Sequence, residues 1–393
     1  MSPAARPPKL LVLHTHPVQY YAPVFRTIAH RAQIAVKVIY LSDAGASEYH
    51  DPGFDRPVAW DVDLLDGYDH HVLRPNLSIT QGTFWNRHDT RLTAVLAEER
   101  PDWILLYGYA SRMNWVALRW AKRHGVGIAY YSDSNARLVG RRSRSAVIKT
   151  LLLRWYFSQV DAFLSPSEAN RTYLRMFGAD EGRIHRCPFA IDVARFRAAR
   201  SGVSGAQVDF VWAGKVIDLK RPMDFVNALA EVNRRGRHRP TASMIGTGPS
   251  MNEVHRHAAA VLPAETLSFA GFVNQSAMPA ELCRGSVFVF TSEADQYGLV
   301  VTEAAACGRA LIVADVNGCV GPSGPAQHSR NALIYPAGDV AALADCMEAL
   351  LASQFTLRNM QRASVEIAAS HDIDCAADVL ETVVARRPHA NAA

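Results

Sequence analysis

The chain has 393 residues, which is more than a single hydrophobic core usually organises, so we expect two domains. Its 49% hydrophobic and 20% charged residues are typical of a globular protein, and the formal net charge of +5 is too mild to indicate a nucleic-acid partner. The sequence contains no run of about 18 apolar residues, so we predict no membrane-spanning helix. The first residues lack the apolar segment of a secretory signal, and the six cysteines form no CxxC pair or metal-ligand spacing. We therefore expect a cytoplasmic protein with reduced thiols.

Short apolar runs alternate with stretches of helical periodicity along the chain. In the first half the predicted strands are KLLVLHT (9–15), AVKVIYL (35–41), DWILLYG (102–108), GIAYYSD (127–133) and AFLSPS (162–167). In the second half they are VDFVWAG (208–214), TASMIGTG (241–248), TLSFAGFV (266–273), VFVFTS (287–292) and RALIVADV (309–316). The segment SRMNWVALRWAKRHG (111–125) predicts a helix that ends at its glycine. This alternation is typical of parallel sheets that are covered on both faces.

The series of strands starts again after the small-residue stretch FRAARSGVSGAQ (196–207), which is typical of a linker. The sequence therefore predicts an α/β protein with two Rossmann-like domains whose parallel sheets face a central cleft. The predicted parts are an N-terminal domain (1–196), a linker (197–207), a C-terminal domain (208–370) and a terminal helix (371–393) that packs back on the N-terminal domain. The last residues, RRPHANAA (386–393), are expected to be disordered.

A loop that contains Asp295 leads from the predicted strand VFVFTS to a helix that starts near Gly298, contains Glu303 and ends at Gly308. The free amides and the dipole of a helix start favour an anion. The residues in position to meet that anion are Tyr297, Gly298, Leu299 and Val300. Glu303 lies about one turn into the helix, where a carboxylate can hydrogen-bond a diol, and Asp295 lies in the loop. The pattern fits a nucleotide diphosphate and its ribose. The alternative is that the two carboxylates only stabilise the helix by interacting with its dipole, since acidic residues are common near helix starts.

Cations follow another predicted strand, in VDFVWAGKVIDLKRPMDF (208–225). Gly214 ends the strand, and Lys215, Lys220 and Arg221 precede the next helix. Lysine offers a point charge and arginine a planar fork, so the cluster suits a diphosphate at the same edge of the sheet. The alternative is a solvated loop, where most lysines and arginines lie.

These segments resemble the C-terminal half of family 4 glycosyltransferases, which have the GT-B fold. The resemblance is carried by WAGKVIDLKRP, SMIGTGPS, LSFAGFVNQSAMPAEL, VFVFTSEADQYGLVVTEAAACGRALIVADVNG and NALIYPAGD. It is strong over 205–350, weaker over 161–196 and loose before that. The family's motif has two glutamates separated by seven residues, and here the first acid is shortened to Asp295.

The resemblance implies a retaining sugar transfer from a nucleotide sugar, with no metal or other cofactor. It implies that Glu303 binds the donor ribose and that Asp295 lies against the donor sugar. Lys215, where the family usually has arginine, and Lys220 would hold the diphosphate beside Gly214. The nucleobase would be recognised through backbone groups near Val273.

The N-terminal half departs from the family's pattern. The first strand runs into HTHPVQYYAPVFR (14–26) without the family's glycine-rich loop, and Ser132 and Asp133 stand where its histidine is expected. His16 is a candidate catalytic residue or a structural histidine, and Asp133 either polarises the acceptor hydroxyl or caps the next helix. Gln19 and Tyr20 are predicted to face the acceptor. The DxD patterns in WDVD (60–63) and HDID (371–374) do not follow an apolar strand, and we interpret them as incidental.

The segment 136–160 is basic and lacks acidic residues. Its cations are Arg137, Arg141, Arg142, Arg144, Lys149 and Arg154, and Val147, Leu151, Leu152, Trp155 and Tyr156 follow near helical spacing. Such a helix can lie on an anionic membrane surface, which would suit a lipid-linked acceptor. The alternative is a packed helix with an arginine-rich rim.

We therefore predict a glycosyltransferase that uses a nucleotide-diphosphate sugar and a glycan, lipid-linked or small-molecule acceptor, in the cytoplasm or peripherally on the inner face of the membrane. Three alternatives remain open. A GT-B-fold sugar-nucleotide epimerase would need no acceptor, and a glycogen-phosphorylase-like enzyme would need a lysine-bound pyridoxal cofactor. A non-catalytic nucleotide-sugar-binding protein is favoured by the shortened acid and the missing histidine.

Overall fold

The computed structural model describes residues 6–78, 83–139, 144–202 and 207–386. The chain divides into two compact units. Unit 1 takes its residues from Met1–Tyr49, Val58–Ala190 and Ile373–Ala393, and unit 2 consists of His50–Pro57 and Ile191–Asp372. A short segment in the first part of the sequence thus belongs to the unit built by the second half.

Both units alternate strands with helices. The strands are β1 (Lys9–His14), β2 (Ala35–Tyr40), β3 (Tyr49–Asp51), β4 (Arg56–Val58), β5 (Asp69–Val72), β6 (Trp103–Tyr107), β7 (Gly127–Tyr131), β8 (Ala162–Ser165), β9 (Ile184–Arg186), β10 (Val208–Ala213), β11 (Ala242–Ile245), β12 (Leu267–Gly271), β13 (Gly285–Phe290), β14 (Ala310–Ala314) and β15 (Ala332–Tyr335). The helices are α1 (Ala22–Arg31), α2 (Leu92–Glu99), α3 (Arg112–His124), α4 (Arg144–Ser158), α5 (Glu168–Met176), α6 (Val193–Gly202), α7 (Pro222–Arg235), α8 (Met251–Val261), α9 (Met278–Cys283), α10 (Leu299–Ala306), α11 (Val340–Ala352), α12 (Gln354–Ala369) and α13 (Ile373–Ala385). Short 3₁₀ helices span Ala136–Leu138, Glu181–Arg183 and Asp218–Lys220.

The seven-stranded sheet of unit 1 has the order β5-β2-β1-β6-β7-β8-β9, and its strands pair in parallel. β1 is central, with β2 on one side and β6 on the other, so the winding of the chain reverses between β1 and β6. In such sheets ligands bind beyond the carboxyl ends of the strands, at this switch point. The first residues beyond these ends are Thr15 and Gly108.

The six-stranded sheet of unit 2 is also parallel and has the order β12-β11-β10-β13-β14-β15. This is the strand order of a Rossmann fold, with the switch point between β10 and β13. Each sheet carries its own core: leucines, isoleucines and aromatic rings around β1, β6 and β7 in unit 1, and a second cluster around β10, β13 and β14 in unit 2. The predicted α/β class and its ten strands are confirmed.

The structure differs from the prediction at the edges of the sheets and at the linker. β5 has the sequence DHHV, whose polar residues gave no apolar signal, yet it pairs with β2 at the edge. The predicted linker 197–207 is helical in its first part, because α6 extends to Gly202, and α6 belongs to unit 2. Residues 203–206 and 387–393, in the predicted linker and tail, lie outside the described residues.

The terminal helix α13 belongs to unit 1. The guanidinium of Arg31 on α1 forms ion pairs with Asp374, Asp378 and Glu381 on α13, at 2.7, 2.6 and 3.1 Å. Glu381 is buried, which makes its pair less exposed to solvent screening than the other two. This network ties the end of the described chain to the first helix.

None of the described helices is by itself long and apolar enough to cross a membrane. Taken together, α11 and α12 reach the required length and composition, as a pair that is bent by 101°.

Candidate functional site

At the switch point of unit 2, the turns that follow β10 and β13 are tied to each other. The hydroxyl of Thr291, just after β13, accepts a hydrogen bond from the indole of Trp212 at 2.9 Å and donates one to the carbonyl of Lys220 at 2.7 Å. The hydroxyl of Ser292 donates to the carbonyl of Leu219 at 3.2 Å. These bonds fix the backbone that carries Lys220 against the end of the neighbouring strand.

The turn after β11 lies so close to the turn after β10 that a side chain on its glycines would clash with the neighbouring backbone. Gly246 has φ of 130°, and a Cβ atom there would lie 1.9 Å from the carbonyl oxygen of Gly214. A Cβ atom on Gly248 would lie 2.5 Å from the carbonyl oxygen of Val216 and 2.8 Å from that of Gly53. Glycine at positions 246 and 248 therefore lets the backbone after β11 pack directly on the backbone after β10, beside Gly214.

Helix α10 starts at the predicted place. Gly298 caps it in the left-handed region, with φ of 90°, and Tyr297 before it is buried. Leu299 and Val300 form the first turn, where helix amides have no intrahelical acceptor. Glu303 lies one turn further and is 1% exposed. A buried carboxylate behind a helix start is costly to desolvate, which is typical of a residue kept for binding.

Asp295 and Lys220, which the sequence placed in one site, form an ion pair with each other. The second carboxylate oxygen of Asp295 accepts a hydrogen bond from the amide of Tyr297 at 3.1 Å. The side chains of Lys220 and Asp295 are 19% and 20% exposed. The pair is therefore ordered and still open to a ligand.

Lys215 is paired with a residue that sequence reasoning did not include. Its ammonium donates to both carboxylate oxygens of Asp51, at 2.9 Å each, and lies 5.0 Å from the ring centre of Phe54. Burial alone would raise the pKa of Asp51, but the bonds from Lys215 and from the amides of Gly53 and Phe54 hold that pKa below its ordinary value. The segment His50–Pro57 thus places an anion beside one of the two predicted diphosphate ligands.

The same segment reaches the predicted base-binding position. Val273 is half-buried just beyond β12, and the ring of its neighbour Phe272 contacts Phe54 at 5.1 Å between centroids. The guanidinium of Arg56 lies 4.6 Å from the centre of the Phe272 ring. Arg56 and Phe54 belong to a part of the sequence far from β12, so no local pattern could have indicated them.

Arg221, the third cation of the predicted cluster, has a structural role. Its guanidinium pairs with Asp224 at 2.5 Å and with Glu293 at 2.7 Å. Its backbone takes φ of 49° at the start of α7. Arg221 is thus held by two carboxylates, whereas Lys215 and Lys220 each pair with a single carboxylate, that of Asp51 and of Asp295 respectively.

At the switch point of unit 1 there is a cavity of about 350 Å³. Its lining includes His14, Tyr21, Arg87, Tyr107, Ser132 and Asp133. The rings of His14 and Tyr107 are 4.6 Å apart, and those of Tyr21 and Tyr107 are 4.7 Å apart. A second cavity, of about 180 Å³, is lined by His16, Thr15, Asn86 and Arg87 among others. Arg87 thus lines both cavities, and no carboxylate of the described residues forms an ion pair with it.

The structure separates the predicted residues of unit 1. Asp133 lines the larger cavity, and Asn135 rather than Asp133 caps the following 3₁₀ helix, accepting from the amide of Arg137 at 2.9 Å. His16 lines the smaller cavity and its ring bonds the hydroxyl of Thr15 at 2.9 Å. Gln19 and Tyr20 are half-buried in the turn before α1 and line neither cavity.

His14 and Tyr21 are among the residues that line the larger cavity and that the sequence analysis missed. His14 is the last residue of β1, and the strand-end rule that indicated His16 applies to it as well. Tyr21 follows the predicted Tyr20 by one position, and only the turn before α1 decides which ring points inward.

Both histidines are kept neutral. Burial, and then the charge of His16, lowers the pKa of His14 to about 3. Burial, and then the charge of Arg87, lowers the pKa of His16 to about 4. In an unfolded chain both pKa values would be about 6.5. At neutral pH each ring therefore offers one donor and one acceptor rather than a positive charge.

This neutrality predicts a pH dependence of stability. Between pH 7 and pH 5 the unfolded chain gains a proton at His14 that the folded chain does not, so the free energy of unfolding falls by about 2 kcal/mol from this residue. His14→Gln should remove that part of the fall, and His30→Gln, an exposed histidine of the same unit, should not. Urea unfolding at the two pH values measures it. An unchanged pH dependence in His14→Gln would contradict the buried neutral ring.

The two DxD patterns have structural partners. The carboxylate of Asp63 accepts from the amides of Leu65 and Asp66. The carboxylate of Asp372 accepts from the amide of Val193 at 3.2 Å, and Asp374 pairs with Arg31. Within residues 6–78, 83–139, 144–202 and 207–386, no three His, Cys, Asp or Glu side chains are grouped as metal ligands.

Two family models match the chain, one for each half. Residues 26–195 match "Glycosyltransferase Family 4", and residues 207–353 match "Glycosyl transferases group 1". Among sequence relatives, a D-inositol 3-phosphate glycosyltransferase of Nocardia farcinica is 29% identical over 216 residues, which cover 52% of this chain and 47% of that protein. A second protein of that kind, from Catenulispora acidiphila, is 30% identical over 37% of this chain and 38% of its own length. The chain spans about half the length, or less, of these relatives.

Solved structures extend the likeness to nearly the whole chain. Anabaena HepE, solved in complex with UDP and glucose, has a TM-score of 0.67 at 15% identity, over 96% of this chain and all of its own. Sucrose-phosphate synthase from Thermosynechococcus elongatus has a TM-score of 0.73 at 15% identity, over 96% and 98% of the two chains. At this identity the likeness shows the fold, which is GT-B. With both halves matched by glycosyltransferase models, the chain belongs to the family 4 glycosyltransferases.

Proposed function

We propose that the protein transfers a sugar from a nucleoside-diphosphate sugar to an acceptor hydroxyl with retention of the anomeric configuration. The observation that carries the proposal is the buried Glu303 one turn behind the start of α10, the helix that follows the loop of Asp295, which pairs with Lys220. HepE, with the same fold, was solved with UDP and glucose, which makes UDP the first nucleotide to test.

The donor would bind across the two tied turns of unit 2. The diphosphate meets the amides at the start of α10 and the ammonium of Lys220, while Glu303 accepts hydrogen bonds from the ribose hydroxyls. Lys215 can contribute its charge as well, although the diphosphate must then share that ammonium with Asp51. The backbone near Val273 would accept the base.

Catalysis would be electrostatic. The departing diphosphate develops charge as the sugar bond breaks, and a lysine fixed in advance stabilises that charge without reorganisation. Asp295 holds Lys220 in place, and the family resemblance implies that it also lies against the donor sugar. With two lysines and a helix start available for the diphosphate, the reaction needs no metal ion, so activity should survive treatment with EDTA.

The acceptor would bind in the larger cavity of unit 1. Aromatic rings, the neutral His14 and the carboxylate of Asp133 line it, which suits a hydroxylated ligand, and Asp133 would polarise the attacking hydroxyl. Arg87 adds a cation that can receive an acidic group. Since the sequence relatives are named for D-inositol 3-phosphate, a phosphorylated polyol is the first acceptor to test, before glycans and lipid-linked sugars.

The test is turnover of candidate donors, UDP-glucose first, with and without these acceptors. We expect nucleotide release that depends on the acceptor, and a product whose anomeric proton coupling in NMR matches that of the donor. Inversion of the coupling would refute retention. Conversion of the donor to an epimer without acceptor would identify an epimerase, and tight nucleotide binding without turnover of any donor would identify a binding protein.

A further inference from the structure

Helix α4 is apolar on two opposite faces. Leu153, Tyr156 and Phe157 are buried in the core of unit 1. The opposite face carries five apolar side chains that are 47% to 64% exposed, Val147, Ile148, Leu151, Leu152 and Trp155. Their spacing places them in one stripe along the helix, here called the α4 stripe. Scattered exposed apolar residues are ordinary, but a contiguous stripe marks an interaction surface.

A second exposed tryptophan extends this surface. Trp85 is 72% exposed, and its ring contacts Phe84 at 5.1 Å. Phe84 contacts Trp115 at 6.5 Å, and Trp115 stacks on Trp155 of the α4 stripe at 5.8 Å with an angle of 9° between the planes. The two exposed indoles therefore lie on one continuous aromatic surface. Tryptophan concentrates where an apolar phase meets water.

Basic side chains border the α4 stripe, and the surrounding sequence contains no acidic residue. Lys149 and Arg154 are exposed and lie on either side of the stripe around the helix, and Arg137 is exposed just before it. The sequence from residue 134 to 160 contains no Asp or Glu. It also contains Arg141, Arg142 and Arg144, of which Arg141 and Arg142 lie outside the described residues.

We propose that the α4 stripe, with Trp85, docks unit 1 on the surface of an anionic lipid bilayer. The apolar side chains enter the boundary between headgroups and acyl chains, and the flanking cations pair with anionic headgroups. The packed-helix alternative accounts for the face of α4 that buries Leu153, Tyr156 and Phe157, but it does not account for the exposed α4 stripe. Docking is independent of the proposed sugar transfer.

A second copy of the chain is a poorer occupant of this surface. Pairing two stripes face to face would bring the cations of both copies, such as Lys149 and Arg154, close together, and like charges repel. An anionic bilayer instead compensates them. The loop that carries Trp85 also carries Arg87, which lines the larger cavity of unit 1, so the docked face lies beside the cavity proposed for the acceptor.

The test is co-sedimentation of the full chain with vesicles, without donor or acceptor. We expect binding to phosphatidylcholine vesicles that contain phosphatidylglycerol, weaker binding to phosphatidylcholine alone, and loss of binding at high salt. The double variant Ile148→Ser/Leu151→Ser should lower the partition coefficient by about tenfold or more. The control is Phe355→Ser, which changes an isolated apolar residue of unit 2 that is 78% exposed and should leave binding unchanged.

Three results would overturn the proposal. The first is failure to bind the anionic vesicles, and the second is binding that Ile148→Ser/Leu151→Ser does not weaken. The third is a dimer in sedimentation equilibrium without vesicles that the same variant dissociates, since the stripe would then be covered by a second copy. Circular dichroism and nucleotide binding of each variant separate a lost surface from a lost fold.

Discussion

Glu303→Ala is expected to lower the affinity for a nucleoside diphosphate by a factor of roughly 100. The carboxylate is 1% exposed and lies one turn into α10, so a ribose that reaches it meets a desolvated acceptor. A hydrogen bond to a charged group contributes about 1.5 to 3 kcal/mol, and two ribose hydroxyls can each form one. Equilibrium dialysis with labelled nucleotide measures the change.

Two glutamine variants separate the charge from the fold. Glu303→Gln keeps the size of the side chain but loses the charge, and should lose most of the affinity. Glu265→Gln makes the same change at an exposed glutamate of unit 2 and should bind as the original protein does. Unchanged affinity in Glu303→Gln would mean that the carboxylate stabilises α10 rather than the ligand.

Lys220→Met is expected to lower the turnover of the donor by about 100- to 1,000-fold, as the loss of one fixed donor to a developing negative charge does in other enzymes. The side chain packs beside Asp295, and its backbone is held by Thr291. The variant removes the cation and leaves Asp295 beside a negatively charged ligand, so both effects act against the transition state. Initial rates of nucleotide release, measured over a range of donor concentrations, give the change.

The matched control is Lys122→Met, which removes a lysine of unit 1 that lies 4.0 Å from Asp161 and outside both cavities. It should leave turnover unchanged. A loss in Lys220→Met that appears only in KM, with kcat intact, would place Lys220 in ground-state binding and contradict its role in the departure of the diphosphate.

The sequence predicted where the candidate residues of unit 2 lie because each of them follows a strand. Gly214, Lys220 and the Asp295–Glu303 segment each come after a buried parallel strand, and the carboxyl ends of such strands meet at one edge. The strand-end rule therefore predicts that these distant segments lie close together. It could not show that Lys220 and Asp295 pair with each other, because side-chain pairing depends on the turns between.

The sequence could not predict the partner of Lys215. Asp51 lies in the segment His50–Pro57, which precedes the rest of unit 2 by more than a hundred residues and has no apolar pattern that links it to β10. The edge strand β5 was missed for a similar reason. Its contact with β2 is made by backbone hydrogen bonds, and its polar side chains leave no periodic signal.

The sequence indicated that a site of unit 1 lies at the end of β1, but it did not indicate which side chains line the cavity there. The end of β1 was identified, and the choice between His14 and His16, or Tyr20 and Tyr21, depended on a turn whose direction no pattern specifies. The nature of α4 also needed the structure. Periodicity indicated an apolar helix with a basic rim, but only burial shows that one apolar face is in the core and the other is in contact with solvent.

We infer that the switch point of unit 2 binds a nucleoside diphosphate, and isothermal titration of the protein with UDP, GDP, dTDP and ADP, repeated with Glu303→Gln, tests this binding. We predict that one nucleotide binds clearly better than the others and that the variant loses this preference together with the affinity. Binding of none of the four, or binding that is equally tight in Glu303→Gln, would show that this site does not hold a nucleotide through Glu303.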